Sequence, residues 1–179
     1  MGLASKLAAF AARLTSDSKV PAAALAAGAA RANFGAGAVL QVVSSVNNTQ
    51  LIVNPATSFG TWLDSGSQAI ITPSSSSSKI LVIVQQSHFH DATGAQGTGC
   101  RINRNGVDIT TELGFTTSYS GNGNRLHGYS TKVFLDSPAS VSALTYKTRV
   151  VAYTSSGSVI FQYGGTESPS SITLMEIAA

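Results

Sequence analysis

The chain has 179 residues and a formal net charge of +3, and only 11% of its residues are charged, against about 25% in an average globular protein. That length fits one ordinary domain plus an appendage, and the single cysteine, Cys100, excludes an intramolecular disulfide framework. No cluster of four or more Lys/Arg occurs, which speaks against a nucleic-acid partner, and no stretch approaches the ~18 apolar residues of a membrane span.

Residues 1–35 differ from everything after them. They carry Lys6, Arg13, Lys19 and Arg31 against Asp17, which is the whole net charge; the remainder is balanced. Leu3, Leu7, Phe10 and Leu14 are spaced four, three and four, the a/d spacing of a coiled-coil seam. Thr15–Ser18 ends that helix, and Pro21 opens a second, Ala-rich one over 22–32. A helix this short is marginal alone in water, so its stripe is expected to dock on symmetry mates, on a partner, or on its own β body. Arg13 breaks the apolar run too early for a signal peptide. Phe34-Gly35-Ala36-Gly37 reads as a joint, which divides the chain into a helical anchor over 1–35 and a β domain over 36–179.

The β runs then come at regular intervals: 38–46, 51–53, 61–63, 68–72, 79–86, 99–104, 107–113, 126–135, 144–153, 158–163 and 171–177. Asn105-Gly106 is the strongest hairpin signal among them. With no crossover helices between strands, a parallel α/β fold is excluded. The expectation is a mainly β, antiparallel, jelly-roll-like sandwich. The last strand is apolar on both faces, Ile172 and Leu174 on one, Met175 and Ile177 on the other. That pattern asks for cover from outside the sandwich. With the low charge, it predicts a homotrimer. Cys100 is expected to be a small buried residue on a strand.

Four separated segments carry a resemblance: PAAALAAGAARANFGAGAVLQVV (21–43), ITPSSSSSKILVIV (71–84), FLDSP (134–138) with LTYKTRV (144–150), and ITLMEIAA (172–179). Together, over about 21–179, they resemble a β-sandwich domain of tailed bacteriophages, common in aquatic phages, in proteins of the tail fiber or virion structural kind. The resemblance implies a trimeric virion component. It does not reach the first 20 residues, which read as the part specific to a virion partner.

Catalytic signatures are missing: no G-x-S-x-G, Walker or CxxC motif occurs. Asp91, Asp108 and Glu112 are the carboxylates a glycan hydrolase would need to pair, but they fall on different runs. His88 and His90 share one face of a strand. At a three-fold axis they would supply six imidazoles, an octahedral cage for a divalent transition metal. The plainer alternative leaves them as strand-end polar groups, with no cofactor. The loop 118–124, SYSGNGN, has the composition of an adaptable binding loop, and Tyr119, Asn122, Asn124 and Tyr129 are the candidates for host contact.

Two assignments arise from different placements of the same trimer. One is a short tail fiber held at the tail or baseplate by Leu3, Leu7, Phe10 and Leu14. The other is a capsid decoration (cement) protein whose arm reaches across neighbouring capsid subunits. A hydrolase spike is a third, weaker reading.

Overall fold

The computed structural model describes residues 35–54, 60–91, 96–110, 117–120, 125–154 and 157–179. The chain divides into the units Met1–Ala38 and Val39–Ala179, and every described strand belongs to the second. The seam residues Leu3, Leu7, Phe10 and Leu14 lie outside the described residues.

Eleven strands are described: β1 (Val39–Asn47), β2 (Leu51–Val53), β3 (Leu63–Ile71), β4 (Lys79–Asp91), β5 (Gln96–Arg104), β6 (Val107–Asp108), β7 (Thr117–Ser120), β8 (Leu126–Asp136), β9 (Leu144–Thr154), β10 (Ser158–Phe161) and β11 (Ser170–Ile177). Among the described residues there is no α-helix. Sheet I contains β1, β11, β4 and β8 in that order, with β10 and then β2 continuing beside the far end of β4. Sheet II runs β3, β9, β5, with β6 and β7 sharing the outer edge of β5. Every pairing is antiparallel.

The topology is that of one long hairpin folded double. If β2 and β10 are set aside and β6 and β7 share one position, eight strands remain. They pair first with last (β1–β11), second with seventh (β3–β9), third with sixth (β4–β8) and fourth with fifth (β5–β6/β7). β11–β4 and β9–β5 contacts then close the two sheets. That nesting is a jelly roll, and it bears out the predicted mainly β, antiparallel sandwich.

Alternation places the core. In β3 the burial pattern alternates strictly, with Ala69 and Ile71 inward and Gln68 and Ile70 outward. The predicted runs 61–63 and 68–72 are joined in one strand across an irregularity between Asp64 and Gln68. One apolar cluster gathers Ile80, Val82, Val84, Ile172 and Leu174 of sheet I against Ile71, Ile102 and Tyr146 of sheet II. A second, at the other end, holds Val53, Val159 and Phe161 against Cys100, Val150 and Ala152. Cys100 is buried, as expected. At Asn105-Gly106 both residues have left-handed φ, 48° and 89°, as a two-residue hairpin turn requires.

Candidate functional site

A layer of polar side chains lies at the level where the two apolar clusters meet. Gln86 of β4 donates to Ser170 Oγ at 2.8 Å and accepts from Thr148 Oγ1 of β9 at 3.0 Å, so it bridges the sheets. Ser65 and Thr148 share a short hydrogen bond. With its amide oxygen facing Gln86 and Ser170, Gln162 accepts from both at 2.7 Å and donates to the Thr49 and Phe161 carbonyls. Buried polar groups satisfied in this way fix the register of the two sheets.

His88 and His90 adjoin this layer. β4 runs five residues past the predicted end at Gln86, so the pair is inside a strand and on its inward face. The imidazoles do share a face, with ring centroids 5.6 Å apart. They are only 4% and 0% exposed, between the sheets. A cage at a subunit axis needs imidazoles on the surface, which this burial does not provide. Ser130 Oγ lies 3.2 Å from His88 Nδ1. Gly128, opposite His88 on β8, makes room for the ring: a Cβ there would lie 3.1 Å from Nε2. Burial, then the neighbouring His90, push the His88 pKa down to about 4, so the ring is neutral near pH 7. Among the described residues no group of three or more His, Cys, Asp or Glu is placed to hold a metal ion.

The outer face of sheet II carries a charged groove of about 320 Å³, lined by Trp62, Asp64, Asn103, Lys147 and Arg149 among others. Outward positions of β9 and β5 supply the cations. The Arg101 guanidinium sits 3.7 Å over the Trp62 ring and 3.2 Å from Asp108. Arg149 reaches Asp108 at 3.3 Å and donates to the Trp62 carbonyl at 2.7 Å. Lys147 donates to Asp64 at 2.7 Å, and Asn103 to Asp108 at 2.7 Å. Burial works to raise the Asp108 pKa, but hydrogen bonds from Asn103 and Arg101 and the charges of Arg149 and Arg101 outweigh it and hold it below the usual carboxylate range. With its cations matched by carboxylates, the groove offers hydrogen bonds and an aromatic wall more than free charge.

The outer face of sheet I is different. Its cross-strand rows read Val46–Ser171–Gln85–Thr131, Ser44–Thr173–Ile83–Val133, Val42–Met175–Leu81–Leu135 and, at the end, Val39–Ile177–Lys79. Lys79 is the one charged residue in these rows. At the other end of the sheet a further row runs His127–Phe89–Ile160–Ile52. Tyr163 stacks on Phe89 there, with ring centroids 4.1 Å apart. Tyr129 stands beside His127 on the same face, 44% exposed.

Of the predicted contact residues, Tyr129 is thus on a strand and near an aromatic cluster, not in a loop. Tyr119 falls in β7, and its side chain, Asn122 and Asn124 lie outside the described residues. Asp91 pairs with Arg125 at 3.3 Å in sheet I, whereas Asp108 belongs to sheet II; Glu112 is not described. Sequence reasoning missed the Trp62 groove. Its residues come from β9, β5, β6 and the start of β3, with no local motif. The available signal was the lone Trp beside alternating Arg101-x-Asn103 and Lys147-x-Arg149.

No family model and no curated protein matches the chain. Among solved structures it is similar to a chain of the T13 particle of IBDV (13% identity, 79% of this chain, 36% of that one, TM-score 0.43). It is similar also to infectious bursal disease virus, Gx strain (13%, 79%, 39%, TM-score 0.42), and to the VP2 subviral particle of that virus (16%, 79%, 38%, TM-score 0.38). The chain spans well under half of each of these, and a likeness at this level carries no inference about its role.

Proposed function

We propose that the chain is a virion structural protein of a tailed bacteriophage, a short homotrimeric tail fiber held by its N-terminal segment to the tail or baseplate. The observation that carries this reading is the two-faced sandwich: one outer face aliphatic and hydroxyl-bearing with a single charge in its four rows, suited to packing in an assembly, the other laced with ion pairs and suited to solvent. The resemblance in four segments adds the phage context, and the low charge of the chain suits a subunit packed against copies of itself. In this reading the Trp62 groove, on the outer face of sheet II, is exposed for contact with host glycan or protein, and no side chain has a catalytic role. Leu3, Leu7, Phe10 and Leu14 form the anchoring seam.

The alternative is a trimeric capsid decoration protein, for which the division of the chain near Ala38 supplies an arm. Gel densitometry of purified particles separates the two, since a fiber is present in few copies and a cement protein in many. Labelled antibody on the particle tail supports the fiber; label spread over the head overturns it. Absence from purified particles overturns both.

A further inference from the structure

We infer that the sheet II groove is a saccharide-binding site, with Trp62 as the wall for a sugar ring and the Asp64–Lys147 pair as the anchor for its hydroxyls. This rests on the reading above, which leaves that groove open to the host, and names the class of ligand it takes. Strand pairing builds the site against a local penalty. Arg101 and Arg149 are register partners across β5 and β9, so two like charges stand directly opposite, which disfavours the pairing. Asp108 contacts both and offsets the repulsion. On the other side of β9, Asp64 is the partner of Arg149, and just past it β3 loses register. A step of four residues in β3, Asp64 to Gln68, answers a step of two in β9, Arg149 to Lys147. Gly66, with φ 84°, lies inside that irregularity. Bulges re-aim side chains and recur beside active sites. Trp62 is half-buried, with the Arg101 guanidinium 3.7 Å over its ring. A ring held in this way leaves little ordering for a ligand to impose.

Size and chemistry select the ligand. At about 320 Å³ the groove is at the small end of ligand sites, about 300–1,000 Å³, which suits a single ring-sized unit. A protein partner needs about 800 Å² of contact on each side around a charge-depleted centre, and here the centre is a ladder of ions. An anion finds no open fork for bidentate pairing: Arg149 commits Nη1 to Asp108 and Nη2 to the Trp62 carbonyl. Asp108 itself repels an anion, and Lys147 and Arg149 repel a cation. Asn103 is closed as well, since its amide nitrogen donates to Asp108 and its oxygen accepts from the Gly106 N–H. Among the described lining side chains, the Asp64–Lys147 pair stays open. Lys147 gives one of its three N–H donors to Asp64 at 2.7 Å, and the exposed Asp64 carboxylate keeps lone pairs to spare. A donor and an acceptor therefore stand side by side near an aromatic ring. A hydroxyl is both donor and acceptor. Neighbouring sugar hydroxyls can accept from the ammonium and donate to the carboxylate while the C–H face of the ring lies on the indole.

The test uses the full chain. Trp62 is its one tryptophan, so indole emission reports on the groove alone. The probes are the methyl glycosides of glucose, galactose, mannose and N-acetylglucosamine, with glucuronate and inorganic phosphate as the charged comparison. Saturation-transfer NMR on the sugar protons is the second readout. At least one neutral glycoside is expected to give a saturable change at millimolar concentration. Asp64→Ala and Lys147→Ala are each expected to weaken it by about tenfold or more, as loss of a charge-assisted hydrogen bond implies, with the parent's melting temperature kept. If an alanine variant fails to fold, Lys147→Met, which keeps the stem and removes the donors, takes its place. No response from any neutral glycoside by either readout overturns the proposal. Binding undiminished in the variants puts the sugar elsewhere and also overturns it, as does glucuronate or phosphate binding tighter than every neutral glycoside. The result is separable from the particle assignment. Antibody label on the tail with no sugar bound keeps the fiber and strikes the site; sugar bound by a chain absent from particles keeps the site and strikes the fiber.

Discussion

Ile70 and Val133 are almost equally exposed, 55% and 57%, on opposite outer faces of one sandwich, yet their surroundings have little in common. Ile70 shares its face with a ladder of ions: Asp64, Lys147, Arg149, Arg101 and Asp108 in mutual contact. Val133 stands among rows of Val, Leu, Ile, Met, Ser, Thr and Gln, with Lys79 the one charge. The inward positions of both sheets are dictated by the same core, so they say little about surroundings. Outward positions are free to vary, and they record what each face meets. Sheet II is finished for water. Sheet I carries aliphatic and hydroxyl side chains with a single charge, Lys79, in its four rows.

A common interior holds the two faces together, and the largest expected effect tests that. Asp136, at the end of β8 in sheet I, accepts from the Tyr146 hydroxyl at 2.6 Å and pairs with Arg104, both of sheet II. Asp136→Ala strands a buried phenol and removes the partner of a half-buried guanidinium. The expected loss is about 3–5 kcal/mol, read by urea denaturation. A loss below about 1 kcal/mol would mean that the faces are not joined there.

The next effect is that of acid on the interior. His88 has its folded pKa lowered from 6.5 to about 4. The unfolded chain therefore binds a proton that the folded chain refuses, and stability falls as pH drops from about 6.5 towards 4, then levels for this group. The full span is of order 3 kcal/mol. Depressed carboxylates add their own loss at lower pH. Glu176 is one, where burial is outweighed by hydrogen bonds from Ser74, Gln41 and Ser78. His88→Gln should flatten the curve between pH 6.5 and about 4. An unchanged slope in that variant would assign the acid response elsewhere.

The histidines show where the sequence was legible and where it was not. Apolar runs between turn signals placed most strands, Asn105-Gly106 marked the hairpin, and period-2 alternation put His88 with His90, and Ile172 with Leu174, on one face. It could not say that β4 continues through Ser87–Asp91. That extension depends on partners distant in sequence: β8 along Leu126–Ser130 and β10 at Ser158–Ile160. Without them Ser-His-Phe-His-Asp reads as a strand end, and with them the imidazoles turn inward. The Trp62 groove was illegible for the same reason, since tertiary pairing alone brings Trp62, Arg101, Asp108 and Arg149 together.

On sheet II the ladder should prove uneven. Asp108 holds Arg101, Arg149 and Asn103 at once, with its side chain 20% exposed. Asp108→Ala is expected to cost about 1–2 kcal/mol and to free Arg101 from its place over Trp62, which tryptophan fluorescence would register. A neutral result with unchanged fluorescence would show that the cation–aromatic contact stands without the carboxylate.

The smallest effect is the sharpest check on the contrast between the faces. Lys147 donates to Asp64 at 2.7 Å, but the Asp64 side chain is 55% exposed. An ion pair in water gains little Coulomb energy, orders two mobile side chains, and is screened by salt, so such pairs contribute about 0–1 kcal/mol. Asp64→Asn should therefore shift stability by less than about 0.5 kcal/mol, and by less still in high salt. That holds only if sheet II faces solvent in the assembled protein. A cost of several kcal/mol in the oligomer, insensitive to salt, would mean the groove is sealed by a neighbouring copy. Both faces would then be interfaces, and the contrast between Ile70 and Val133 would belong to the isolated chain alone.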